Sequence, residues 1–116
     1  MFKMTHIDST AFGEIVVDGK VYNHDIKILP SGKVVERIKI KGSHLICLEE
    51  FKAILDEKPE VIVIGNGQDG IAEVENDAKQ QIAARKIKLI IEPTPKAIQT
   101  FNKLKNKKAG IFHVTC

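Results

Sequence analysis

Polar and apolar residues alternate along the first third of the chain. Glu14-Ile15-Val16-Val17 and Lys20-Val21-Tyr22 flank Asp18-Gly19. An Asp-Gly pair accepts the positive φ angles of a two-residue hairpin turn, so this pattern predicts two antiparallel strands. Asp25-Ile26-Lys27-Ile28-Leu29 predicts a third, ended by the breakers Pro30-Ser31-Gly32. Over residues 34–40 the period is again two. Val34, Glu36, Ile38 and Ile40 fall on one side, with Val35, Arg37, Lys39 and Lys41 on the other, as in a half-buried strand. The front of the chain reads as an antiparallel β-meander.

After Gly42 the period lengthens. Leu48, Phe51, Ile54 and Leu55 recur at helical spacing, Glu49 and Glu50 sit where a helix dipole favours acid, and Lys58-Pro59 stops the segment, which predicts a helix over 47–57. Val61-Ile62-Val63-Ile64 is wholly apolar and β-branched and reads as a strand covered on both faces. Asn76 or Asp77 can cap a second helix that runs to about residue 86, and residues 87–91 form another strand. Thr94-Pro95 opens a third helix with the apolar stripe Ala97, Ile98, Phe101 and Leu104, ending near Asn106; residues 109–114 are the final strand. Strands alternating with helices of this length become parallel neighbours. The expected fold is α/β, with a central parallel or mixed sheet, packed helices, and the N-terminal meander extending or covering that sheet.

Composition narrows the class. A chain of 116 residues, 43% hydrophobic and 28% charged, suffices for one core without staples, so residues 1–116 are read as a single domain. Cys47 and Cys116 are too few for a disulfide framework. The start Met1-Phe2-Lys3-Met4-Thr5-His6-Ile7-Asp8 has neither a secretory core nor an arginine-rich transit pattern. No apolar run approaches the ~20 residues of a membrane helix. A cytoplasmic protein without a membrane span is expected. The net charge of +3 is unevenly placed, because from Pro93 onward the chain holds five lysines and no acid. The six aromatic residues do not interleave with these lysines as a stacking platform would need, so nucleic acid is not an expected partner. A solvated helix face, or an acidic patch on a partner protein, explains the lysines better.

The segment Thr94-x-x-Ala97-x-x-x-Phe101-Asn102-x-Leu104, followed by Ile111-Phe112-His113-Val114-Thr115-Cys116, resembles a small α/β family of unknown biochemical function. Its human members are the adipogenesis-associated domain protein and a mitochondrial complex I assembly factor. Ile62-x-Ile64-Gly65-x-Gly67, Asp25-Ile26 and Gly13 with Gly19 carry the resemblance over nearly the whole chain. It implies one compact α/β unit without an established activity, and it raises His113 and Cys116 as site candidates. The assembly-factor branch normally has a mitochondrial targeting extension. This chain begins at the domain itself, so that role is not carried over.

Several constellations could carry chemistry. Gly65-Asn66-Gly67-Gln68-Asp69-Gly70 has the G-x-G-x-x-G spacing after a strand, with Glu92 ending the next strand. In a dinucleotide site the glycines open a helix at once, whereas here Ile71-Ala72-Glu73-Val74 intervenes as extended chain. A structural glycine turn is the better reading, nucleotide binding an alternative, and no cofactor is expected. In an open α/β sheet, ligands bind beyond the carboxyl ends of parallel strands. Three turns should converge there, and the candidate ligand residues are Gly65, Asn66, Gly67, Thr94 and Asn102, with a small anion at the free amides of the Thr94 helix.

His44-x-x-Cys47 and His113-x-x-Cys116 offer two matching soft-ligand pairs, but the spacing is not that of structural zinc sites and no metal is expected. His113 beside Cys116 could form a base and thiol pair, the candidate catalytic residues, provided that Thr115 bends the strand. The leading expectation is a binding or assembly module with a protein partner. A small thiol enzyme is the alternative, and exposed strand edges in such a sheet can pair two copies into a homodimer.

Overall fold

In a computed structural model, residues 4–116 are described; the reading of the chain's start falls partly on residues 1–3, outside them. Among the described residues, ten strands, three α-helices and one 3-10 helix follow in chain order. β1 (Ile7–Ala11), β2 (Glu14–Val17) and β3 (Lys20–Tyr22) form an antiparallel sheet of their own. Asp18 and Gly19 turn β2 into β3 at φ 48° and 80°, as the Asp-Gly pair predicts. β4 (Ile26–Ile28) and β5 (Val34–Glu36) leave that meander and join the main sheet.

That sheet also takes β7 (Val61–Asn66), β9 (Lys88–Glu92) and β10 (Lys108–His113), in the order β5-β4-β10-β7-β9. β10, β7 and β9 are parallel, with β4 antiparallel to β10. The meander thus both extends the sheet and covers it. A short parallel pair, β6 (Leu45–Ile46) with β8 (Glu73–Val74), lies apart.

α1 (Lys52–Asp56) follows a 3-10 turn at Leu48–Phe51; α2 (Asn76–Ala84) and α3 (Thr94–Lys103) are the crossovers. The β7-to-β9 step and the β9-to-β10 step run in opposite directions across the sheet, so right-handed crossovers put their helices on opposite faces. Phe51, Ile54, Ile62, Ile64, Ala78, Ile82 and Ile111 fill the core on the α1 and α2 face. On the other face, Ile15, Val17, Ile28, Val63, Ile98, Phe101 and Phe112 join α3 and the three-stranded sheet. Each such valine, isoleucine or phenylalanine side chain contributes about 1.5–3 kcal/mol on burial.

Three local expectations need correction. The strand expected over 34–40 stops at Glu36, because Arg37 turns inward and is buried; Ile38 and Ile40 stand on the surface, 66% and 51% exposed. The helix expected over 47–57 begins as a 3-10 turn. The third helix ends at Lys103, where Lys108 supplies its carboxyl end with a cation. Lys108 Nζ donates to Phe101 O and to Leu104 O (2.9 Å) and sits 4.4 Å from the centre of the Phe101 ring. Lys108 is therefore not part of a solvated lysine face, and burial pushes its ammonium below the ordinary lysine value.

Candidate functional site

The carboxyl ends of β7, β9 and β10 meet at one rim, and glycines determine how closely they approach. A Cβ on Gly65 would come within 2.9 Å of Thr94 Oγ1 and of the Phe112 ring. One on Gly67, at φ +109°, would stand 2.2 Å from the Cys116 carbonyl carbon. The loop is stitched to the end of the chain: Gln68 N–H donates to Thr115 O (2.7 Å), and Asp69 and Ile71 N–H donate to Cys116 O (3.1 and 3.2 Å).

Thr94, fully buried, accepts from Gly67 N–H (2.9 Å) and donates to His113 O (2.6 Å), joining all three strand ends. It is the first residue of α3; Pro93 is the N-cap. The amides that open α3 are paired inside the protein, Thr94 with Gly67 O (2.9 Å) and Lys96 and Ala97 with Pro93 O (3.0 and 2.8 Å). The turns converge as expected, and protein atoms occupy the junction.

Asn102 is elsewhere. From the far end of α3 it accepts from Ile7 N–H (2.9 Å) and donates to Ile7 O (2.8 Å), pinning β1 onto the helix. Asn66 points into the loop, where Nδ2 donates to Gly70 O (3.3 Å) and buried Oδ1 has no hydrogen-bond partner. Beside it an open groove of about 290 Å³ is lined by Asn66, Glu73, Asn76, Lys79 and Ile91. The unpaired atom is an acceptor, so it calls for a donor.

Behind the rim lies an ionic cluster that the sequence did not disclose. Arg37 donates from Nη1 to Asp25 Oδ2 (2.8 Å) and from Nε to Glu50 Oε1 (2.6 Å), and the rest of its guanidinium serves the carbonyls of Gly42, Ser43 and Leu45. His113 Nδ1 donates to Asp25 Oδ2 (2.7 Å), and Val114 N–H to Asp25 Oδ1 (2.9 Å). All four side chains are buried. Burial alone would raise the Asp25 carboxyl, but the bonds from His113, Val114 and Arg37 outweigh it and hold the group below its ordinary value.

Glu50 also accepts from Cys47 N–H (3.0 Å), which fixes the 3-10 turn. Burial, then Glu50 and Glu49, push the Cys47 thiol up. His113 Nε2 lies 3.2 Å from Thr115 Oγ1, so both ring nitrogens have partners other than Cys116. The His44 and His113 rings meet edge to face at 5.6 Å. Among the described residues no group of three or more His, Cys, Asp or Glu side chains is placed to hold a metal.

Around the rim several apolar side chains are exposed, alongside charged ones such as Lys39, Lys41 and Asp69. Phe12, 67% exposed, precedes Gly13, whose N–H donates to Val114 O (2.8 Å). Ile71, 52% exposed, is tied by its N–H to Cys116 O. Ile38 and Ile40 ride on the loop that Arg37 closes. No helix among the described residues is long and apolar enough to cross a membrane.

Solved structures share this fold. The conserved hypothetical protein PH1505 from Pyrococcus horikoshii OT3 is 31% identical, with a TM-score of 0.86 over 95% of this chain and 98% of its own. The structure described as MT938 is 30% identical, with a TM-score of 0.82 over 97% and 99%. A Mth938-like domain from Bordetella pertussis, 17% identical with a TM-score of 0.74 over 96% and 86%, has the same fold. No curated protein matches the chain. The family described as a protein of unknown function (DUF498/DUF598) matches residues 7–113, from the first strand to the histidine of the buried cluster. The chain belongs to that DUF498/DUF598 family.

Proposed function

We propose that the protein is a cytoplasmic binding or assembly module that grips a partner protein with the apolar rim around the end of β10. The observation that carries this reading is the exposure of Phe12, Ile38, Ile40 and Ile71 on loops tied to the strand ends and to the ionic cluster: Gly13 N–H bonds Val114 O, Ile71 N–H bonds Cys116 O, and Arg37 of the Asp25–Arg37–Glu50–His113 cluster bonds Gly42 O. A rigid polar foundation keeps exposed apolar side chains from collapsing inward, and such patches mark protein contacts. Kinship with the adipogenesis-associated domain protein and the complex I assembly factor, drawn from the Thr94 to Cys116 motif, belongs to the same reading.

Cross-linking in cells followed by mass spectrometry tests it. Partners cross-linked to the wild-type chain should be lost with the double variant Phe12→Ser and Ile71→Ser and retained with Lys52→Ser on the exposed side of α1. An identical partner set for all three chains would reject the rim as the contact surface.

An enzymatic reading has one observation in its favour. Asp25, His113 and Thr115 stand in the order carboxylate, imidazole, hydroxyl, at 2.7 and 3.2 Å, with the Cys116 thiol next in the chain. In such a series the carboxylate orients the ring, whose second nitrogen takes a proton from the nucleophile. Acylating and alkylating probes should then label Thr115 or Cys116 in a manner that His113→Gln abolishes. No labelling at either residue would eliminate this reading.

A further inference from the structure

The main sheet has two edges, and they differ. β5 presents three residues, whereas β9 presents five, Lys88-Leu89-Ile90-Ile91-Glu92, none of them buried. Among the described residues nothing pairs with the outer side of β9. An open strand of this length is a template for another strand.

Its backbone phase is set. Lys88 N–H donates to Glu60 O (3.2 Å) on the β7 side. By strand alternation Lys88, Ile90 and Glu92 spend their backbone groups inward, and Leu89 and Ile91 turn theirs outward. The side chains alternate as well. Ile90 packs into the core on the α3 face, and Glu92 on that face accepts from Thr100 Oγ1 (2.6 Å); Leu89 packs on the α2 face.

The geometry points to a second copy of this chain as the occupant, paired antiparallel along β9 about a twofold axis through Ile90. In that register Leu89 and Ile91 of one chain exchange both backbone hydrogen bonds with Ile91 and Leu89 of the other, four bonds in all. Ile90 meets Ile90 in the close, non-hydrogen-bonded position. Lys88 then lies opposite Glu92 of the other chain, twice over, on the same face as the isoleucine pair.

Apolar faces apolar and cation faces anion at all five positions. A shift of one residue sets Lys88 against Ile91 or Glu92 against Leu89 and opposes outward-facing backbone groups to inward-facing ones; a shift of two breaks both ion pairs. The product is a ten-stranded sheet with the α3 helices on one face and the two rims at opposite ends, each open to its own partner. This surface is separate from the apolar rim, so the dimer does not depend on the reading given above.

Sedimentation equilibrium of the purified chain tests the pairing. Wild type should dimerise. Lys88→Glu and Glu92→Lys each turn two attractive pairs into two repulsive ones, so each should raise the dimer Kd about tenfold or more. The doubly exchanged chain, with both substitutions, regains the pairs in reverse and should recover most of the wild-type affinity. A mixture of the two single variants should form a heterodimer tighter than either homodimer. Circular dichroism establishes that each variant is folded, since Lys88 is exposed and Glu92 loses only its bond to Thr100. A wild-type chain that stays monomeric overturns the proposal. So does a dimer whose Kd neither reversal moves, or a doubly exchanged chain no better than its parents.

Discussion

Arg37 serves two carboxylates and three carbonyls at once from a fully buried position. Removing one member of a buried ionic cluster leaves the others charged and unpaired, which typically costs about 3–5 kcal/mol. Arg37→Met is expected to lower stability by that amount in urea denaturation. Arg37→Lys should not restore it, because a single ammonium lacks the planar fork. A loss under about 1 kcal/mol, the worth of an exposed pair, would show that the cluster does not hold the rim.

The same cluster sets an acid limit. The Asp25 carboxyl is held below its ordinary 3.8 in the folded protein, so its contribution is complete well above 3.8 and disappears as pH falls through the depressed folded value. Asp25→Asn should be less stable than wild type at neutral pH and lose less on acidification; parallel losses in the two proteins would refute the linkage. At Gly67 both φ and space forbid a side chain. Gly67→Ala should be far more damaging than Gly42→Ala, which has a similar φ of +95° and open space around it. The thermal midpoints compare them.

Helix ends and strand ends followed contacts more than propensity. α1 and α2 are each followed closely by a left-handed lysine, Lys58 at φ 52° and Lys86 at φ 59°. A left-handed residue with a Cβ costs roughly 1–2 kcal/mol, so Lys86→Gly should raise the melting temperature; a fall would show that the lysine side chain makes up for the strain.

Asn102 acts between elements. Asn102→Ala removes both half-buried bonds to Ile7, at a cost of about 1 kcal/mol each. Hydrogen exchange should quicken first in β1 and β2, with β7 and β10 little affected. The hairpin at Asp18-Gly19 and the three back-half strands were legible because turn chemistry and unbroken apolar runs are local. β1 was not, since its burial pattern is mostly polar outward, and Ile7 is held by β2 and by Asn102, 95 residues away.

At the scale of the molecule, one sheet separates two cores, and its β7 and β10 contribute to both. The layers should therefore unfold together. Tyr22 is the single tyrosine and there is no tryptophan, so tyrosine emission reports β3 while far-ultraviolet dichroism reports the helices. Coincident urea transitions are expected, and a separated tyrosine transition would mean that the N-terminal sheet opens independently.

The residue pattern alone determined the α/β class, the parallel back half and the convergence of Gly65, Thr94 and Cys116, because periodicity, caps and crossover length act over a few residues. Folding in three dimensions decided the rest. Arg37, Asp25 and Glu50 each look like solvated charges in an amphipathic segment, and their burial follows from partners 12, 13 and 88 residues distant. Whether a strand-end junction is a cleft or is filled by the protein itself depends on loop paths that no local pattern encodes. Here the Gly67 loop closed on Thr115 and Cys116, so protein atoms fill that junction.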